Sequence, residues 1–187
     1  MVEKLLSKKE TTSTIRFEAK LFKIGSWTIL ELPKSASAKL PSRGLAMVKG
    51  TMNDFDFQTA LEPDGKGSHW FEVNDNLRKA IKADAGDTVT LAIEPTKEWI
   101  EPKVPADISK ALAADPPAHS LWTKITPMAR WEWIRWIRAT NRAETRQHHI
   151  DVARSKLRAG MRRPCCFNSS MCTEPSVSKN GVLLDPA

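Results

Sequence analysis

The stretch that decides the reading is Thr126–Arg163, TPMARWEWIRWIRATNRAETRQHHIDVARSKLRAGMRR, which holds three of the seven tryptophans and ten of the 29 Lys/Arg residues. Apolar residues recur in it at helical spacing on both sides of Asn141, so it predicts two helices. Thr126-Pro127 is an N-cap followed by proline in the first turn. Gly160 is a stop in the left-handed conformation for the second helix, which spans about Arg142 to Ala159. At 100° per residue, Ala129, Trp133, Trp136 and Ile137 share one arc, flanked by Ile134, and form a core face. Trp131, Arg135, Arg138 and Arg142 fall on the opposite arc. That arc reads either as a solvated basic face or as a stripe that binds phosphate or another anion. Stacking of Arg135 on Trp131, four residues away, would add roughly 0.5–1 kcal/mol.

In the second helix, Ala143, Ile150, Ala153 and Leu157 share a face, and Arg146 projects into it. Arginine there needs a partner, because a buried unpaired charge costs several kcal/mol. Glu132 and Glu144 are conceivable carboxylates. Alternatively, Arg146 lines a pocket and binds a small anionic ligand through its fork of donors.

Upstream the period changes. Residues 1–100 carry 15 Lys/Arg against 14 Asp/Glu, and residues 101–187 carry 14 against 8, so most of the net +7 lies in the second part. Between Ser13 and Phe22, apolar Ile15, Phe17, Ala19 and Leu21 alternate with Arg16, Glu18 and Lys20, the pattern of a half-buried strand. Further strands are read at Trp27–Leu32, Gly44–Met52, Phe55–Leu61, Ser68–Val73 and Thr88–Ile93. Asn53-Asp54 makes a turn, and Asn74 caps a short helix through Lys82. Six short strands and one helix suggest a small closed barrel over residues 13–94. Pro95, Pro102 and Pro105 mark a linker over 95–105. Residues 106–163 follow as a helical domain of about four helices, with Asp115-Pro116 capping one of them. The tail, 164–187, is Ser-, Asn- and Pro-rich and is expected to be irregular and partly mobile. The fold class is α+β.

Residues 15–93 resemble the barrel domain of unknown function found in front of the YdeI/OmpD-associated family. The resemblance rests on FEAKLFKIGSWTILELP, VKGTMNDFDFQTALEPDGKGSHWFEV and AGDTVTLAIE. Residues 105–167 resemble the YdeI/OmpD-associated helical domain itself, through PADISKALAADP, WIRWIRATNRAETRQHHI and GMRRPCCF. The resemblance implies a bacteriocin-protection type of protein and a double-split β-barrel, a fold shared with AbrB- and MazE-like DNA-binding domains. It brings no assigned catalytic residue.

Other features carry less. The loop EPDGKGSHW, with Lys66 and His69, could offer backbone N–H groups to an anion, but it lacks the spacing and following helix of a phosphate-binding loop. His148 and His149 diverge by about 100° on a helix and lack partners at metal-ligand spacing, apart from Glu144. Cys165, Cys166 and Cys172 contain no CxxC pair, so reduced thiols are expected, with Arg162 and Arg163 able to lower a thiol pKa. No nucleophile with its base and orienting acid is legible, since Ser68 and His69 are mere neighbours.

The expectation is therefore a cytoplasmic protein without cofactor or metal. It lacks an N-terminal secretory core and any apolar run long enough for a bilayer. It would act by binding an unidentified protein or a small anionic ligand. The candidate ligand-binding residues are Arg146, Arg142, Arg138, Arg135, Trp131, Lys66 and His69. Two alternatives stand beside this reading: nucleic-acid binding through the basic helical domain, and an enzyme with its site in the interdomain cleft. A barrel of this type can also form a homodimer by strand exchange.

Overall fold

A computed structural model describes residues 13–165 and 167–186. Seven strands form the first part: β1 (Ile15–Lys20), β2 (Phe22–Ile24), β3 (Trp27–Glu31), β4 (Ala46–Met52), β5 (Phe55–Pro63), β6 (His69–Glu72) and β7 (Thr88–Pro95). They make one sheet in the order β1-β7-β4-β5-β6-β3-β2, and every pairing is antiparallel. β1 and β2 lie at opposite ends of that order yet are separated in the chain by Leu21 alone. The sheet must therefore curl until its edges meet at this residue, which is fully buried. The Leu21 amide donates to the Asp87 carbonyl at 2.9 Å and its carbonyl accepts from Gly86 at 2.8 Å, fixing the bend. What the alternation presented as one strand over Ser13–Phe22 is thus two.

The alternation itself has the expected consequence. Ile15 is buried while Arg16, Glu18 and Lys20 face solvent, and Val48, Met52, Leu61, Val89, Leu91 and Ile93 complete the core inside the curl. Asn53 and Asp54 both adopt left-handed φ, 47° and 63°, the geometry of a two-residue hairpin turn whose twist matches its strands. At Gly50 a Cβ would stand 2.0 Å from the Ala92 carbonyl, so β4 and β7 approach there as only glycine allows. A one-turn helix, α1 (Lys34–Ser37), follows Pro33, and α2 (Asp75–Ile81) is capped by Asn74, which accepts from Leu77 N at 3.0 Å.

Four helices follow: α3 (Ala106–Ala113), α4 (Pro116–Lys124), α5 (Pro127–Arg138) and α6 (Ala143–Arg158). Asp115 and Thr126 cap α4 and α5 through the amides of Ala118 and Ala129, at 3.3 and 3.2 Å. Their apolar faces enclose Ile108, Leu112, Trp122, Trp133, Ile137, Ile150, Ala153 and Leu157. Trp133 is fully buried, with its indole donating to the Arg162 carbonyl at 3.0 Å. No helix among the described residues is long and apolar enough to cross a membrane.

The tail is more ordered in shape than its composition suggested. It folds into a hairpin of β8 (Ser178–Lys179) and β9 (Val182–Leu183) around Asn180 and Gly181, both with positive φ. Cys172, Val177 and Leu183 pack against Ile24, Ile29 and Trp70 of the sheet. The cause is apolar burial by three scattered residues, too few to leave a period in the sequence.

Candidate functional site

The outward arc of α5 is not a solvated stripe. Arg135 is fully buried, because this face of the helix lies against β5 and the tail rather than against water. Its guanidinium donates to the carbonyls of Met171 at 3.0 Å and Ser169 at 3.4 Å, and lies 5.4 Å from the centre of the Phe167 ring. Its Nε stands 3.4 Å from Glu62 Oε1 on β5. Arg138 donates to the same carboxylate oxygen and, at 3.4 Å, to Thr173 Oγ1, with Glu174 3.9 Å away. One glutamate of the sheet thus serves two arginines of the helix. Burial lowers the Arg135 pKa from its ordinary value, a shift opposed by the Glu62 charge.

Trp131 does not stack on Arg135. Its indole donates to the Ile100 carbonyl at 2.9 Å, and its ring packs with Trp99 on Leu45, Met47 and Ala60. Only Arg142 of the four remains exposed, at the N-cap of α6. A helical wheel separates apolar from polar faces, but it cannot say that the polar face will be covered by another domain.

Arg146 does find a carboxylate, though neither Glu132 nor Glu144. Its Nε and terminal nitrogen meet Asp107, in the first turn of α3, at 2.6 and 3.0 Å. This two-point bond, with the amide of Ile108, holds the Asp107 pKa below its usual range. His149 stacks on Trp136 with ring centres 4.4 Å apart and meets the Ile137 carbonyl at 3.3 Å, while His148 is exposed.

The loop after β5 supplies its own anion. The amides of Lys66 and Ser68 both donate at 2.8 Å to Asp64 Oδ1, so the N–H groups expected to face a ligand face a carboxylate two and four residues behind them. Lys66 Nζ reaches Asp185 at 2.9 Å and Glu31 at 3.3 Å. Burial raises the Glu31 pKa, reinforced by Asp64 and opposed by Lys66. For Lys66, burial is outweighed by the ion pairs with Asp185 and Glu31, and the net shift is upward.

His69, fully buried, makes a pair that spacing did not reveal. One ring nitrogen, Nε2, lies 2.7 Å from the Gly44 carbonyl and must donate to it. Nδ1 therefore accepts from Ser37 Oγ, also at 2.7 Å, which fixes a neutral tautomer. Arg43 donates to Ser37 Oγ at 3.2 Å and to the Ser37 carbonyl. Ser37 lies 32 residues away on a helix of one turn, too short to leave a sequence pattern. Burial pushes the His69 pKa down, the Gly44 bond working against it. Chemically this is a serine hydroxyl held by an imidazole, but with both side chains fully enclosed.

Of the thiols, Cys172 is buried, and burial raises its pKa. Cys165 is exposed, with Lys156 Nζ 3.0 Å from its sulfur. Cys166 lies outside the described residues. Among the described residues no group of three or more His, Cys, Asp or Glu side chains is placed to hold a metal ion.

Comparison with known families divides the chain at the same place as the geometry. Residues 16–93 match a domain of unknown function, DUF1905. Residues 101–160 match the domain described as "Bacteriocin-protection, YdeI or OmpD-Associated". The chain thus matches a DUF1905 domain followed by a YdeI/OmpD-associated domain. No curated protein matches it. The YdeI/OmpD-associated match contains both partners of the Arg146–Asp107 bond and the whole of α5, whereas Glu62 belongs to DUF1905. The Glu62–Arg138 contact therefore joins the two, and the tail that covers Arg135 lies beyond both matches.

Proposed function

We propose that this protein acts in bacteriocin protection or a related stress response by binding a cytoplasmic partner or a small anionic ligand, and not by covalent catalysis. The observation that carries the reading is the match of residues 101–160 to the bacteriocin-protection domain. The surroundings of Ser37 and His69 agree with binding over acyl transfer. A nucleophile must reach its substrate, and this hydroxyl and its imidazole are sealed, with the second ring nitrogen donating to a carbonyl rather than to an orienting acid. The nucleic-acid reading loses its main support, since Arg135 and Arg138 spend their donors on Glu62 and on tail carbonyls and are withdrawn from phosphates. For a small anion, the most accessible of the candidate cations is Arg142 at the start of α6, with Arg146 one turn on and partly engaged by Asp107.

The test is genetic. A strain lacking the protein should be killed at lower bacteriocin doses than its parent, and plasmid-borne wild type should restore resistance. Unchanged sensitivity across a panel of bacteriocins and envelope stresses would contradict the proposal.

A further inference from the structure

Residues 167–186 are laid over the molecule differently from any other segment. Besides the apolar packing of Cys172, Val177 and Leu183, they touch the body through polar contacts: Leu183 N donates to the Asp64 carbonyl at 2.8 Å, Met171 and Ser169 carbonyls accept from Arg135, Thr173 accepts from Arg138, Glu174 lies 3.9 Å from Arg138, and Asp185 meets Lys66. Most of their other hydrogen bonds stay within the segment. Cys172 N donates to Gly181 O at 2.8 Å, Leu184 N to Val177 O at 2.9 Å, Val177 N to Glu174 O at 3.2 Å and Ser178 Oγ to Glu174 O at 2.7 Å. The hairpin β8-β9 pairs with itself and forms a sheet separate from the seven strands. It could leave as a body and keep most of these bonds.

Underneath, closure is imperfect in polar terms although flush in shape. A Cβ at Gly65 would come within 2.0 Å of the Gly181 carbonyl, so strap and loop touch backbone to backbone. Yet Trp70 Nε1, in the cluster that the segment covers, and Asp64 Oδ2, beside its Leu183 contact, are buried without a hydrogen-bond partner. Opening would give both of them water, which offsets part of the apolar burial lost. A locally bonded segment over unsatisfied groups has the properties of a low-stability unit that opens apart from global unfolding.

We infer that residues 171–185 are a strap that swings open as a unit while the sheet and helices remain folded, uncovering Ile24, Ile29 and Trp70 beside the Arg135 guanidinium. The closed strap masks a surface that is apolar in the middle and cationic at one side.

Cys172 reports the motion, because it belongs to the strap and its side chain is buried against Ile24, Ile29 and Trp70. In full-length protein carrying Cys165→Ser and Cys166→Ser, its labelling by a thiol-reactive disulfide is followed against urea, with tryptophan fluorescence recording global unfolding. The inference predicts labelling faster than global unfolding permits, with a shallow urea dependence. Leu183→Ala should accelerate it at least about 10-fold by removing the strap's buried anchor. If that variant folds poorly, Asp185→Asn should still give about a 2-fold rise, as expected for loss of an exposed ion pair. Labelling that follows global unfolding in both size and urea slope would overturn the inference. So would rapid labelling that neither variant changes.

Discussion

His69 illustrates what a single buried side chain imposes. Its neutral tautomer is required by an acceptor on one side, the Gly44 carbonyl, and a donor on the other, the Ser37 hydroxyl. The charges facing it are Arg43 and Arg135, which disfavour protonation, and Asp64, which favours it. With the folded pKa below the ordinary 6.5, the unfolded chain binds the proton first as pH falls. The stabilising effect is complete above 6.5 and is lost as pH drops through the folded value. Glu31 has the opposite sign: its raised pKa favours the fold below 4.5, and that contribution disappears as pH rises through the folded value. The expected outcome is a melting temperature that declines from pH 7.5 towards 5.5 in the wild type and declines less in His69→Gln. Parallel profiles would show that His69 does not titrate as described. The sequence carries no pattern for this contact, because Ser37 reaches His69 through the pairing of β3 with β6 and the one-turn helix that follows β3.

At the level of elements, sequence reading succeeded where a local rule dominates and failed where tertiary contact does. Thr126 and Asp115 were recognisable as caps because a cap needs only its own side chain and the amide three residues on. Asn74 and the Asn53-Asp54 turn obey equally local rules. The break at Leu21 left no mark, since the residue continues the alternation perfectly and bends only because two sheet edges must meet. The covering of the outward face of α5 left no mark for a similar reason. Arginines at helical spacing look solvated until a carboxylate from a residue about 75 positions earlier is brought to them. The cap itself makes a prediction: Thr126→Ala should lower stability by about 1 kcal/mol in urea unfolding while leaving the urea slope unchanged. A loss below a few tenths would mean that the α5 start is fixed by packing alone.

Across the whole molecule, the helical domain is attached to the sheet by two different kinds of contact. One is apolar, with Trp131 and Trp99 against Leu45, Met47 and Ala60. The other is ionic, with Arg135 and Arg138 sharing Glu62 under the tail. The apolar contact sets how close the domains come. The ionic one makes the choice of partner specific, since a buried arginine left without its carboxylate is strongly disfavoured. The basic half of the chain is thereby partly neutralised from within, by an acid of the half that is nearly neutral.

The central claim is that the arginine face of α5 is a joint between the domains and not an outward-facing ligand stripe. A double-mutant cycle tests it most directly, with Glu62→Gln, Arg138→Gln and the double variant compared by urea unfolding. The account predicts that Glu62→Gln alone is strongly destabilising, by about 3–5 kcal/mol, and that the two changes couple by more than about 1 kcal/mol. Single effects that are small and add within about 0.5 kcal/mol would contradict it.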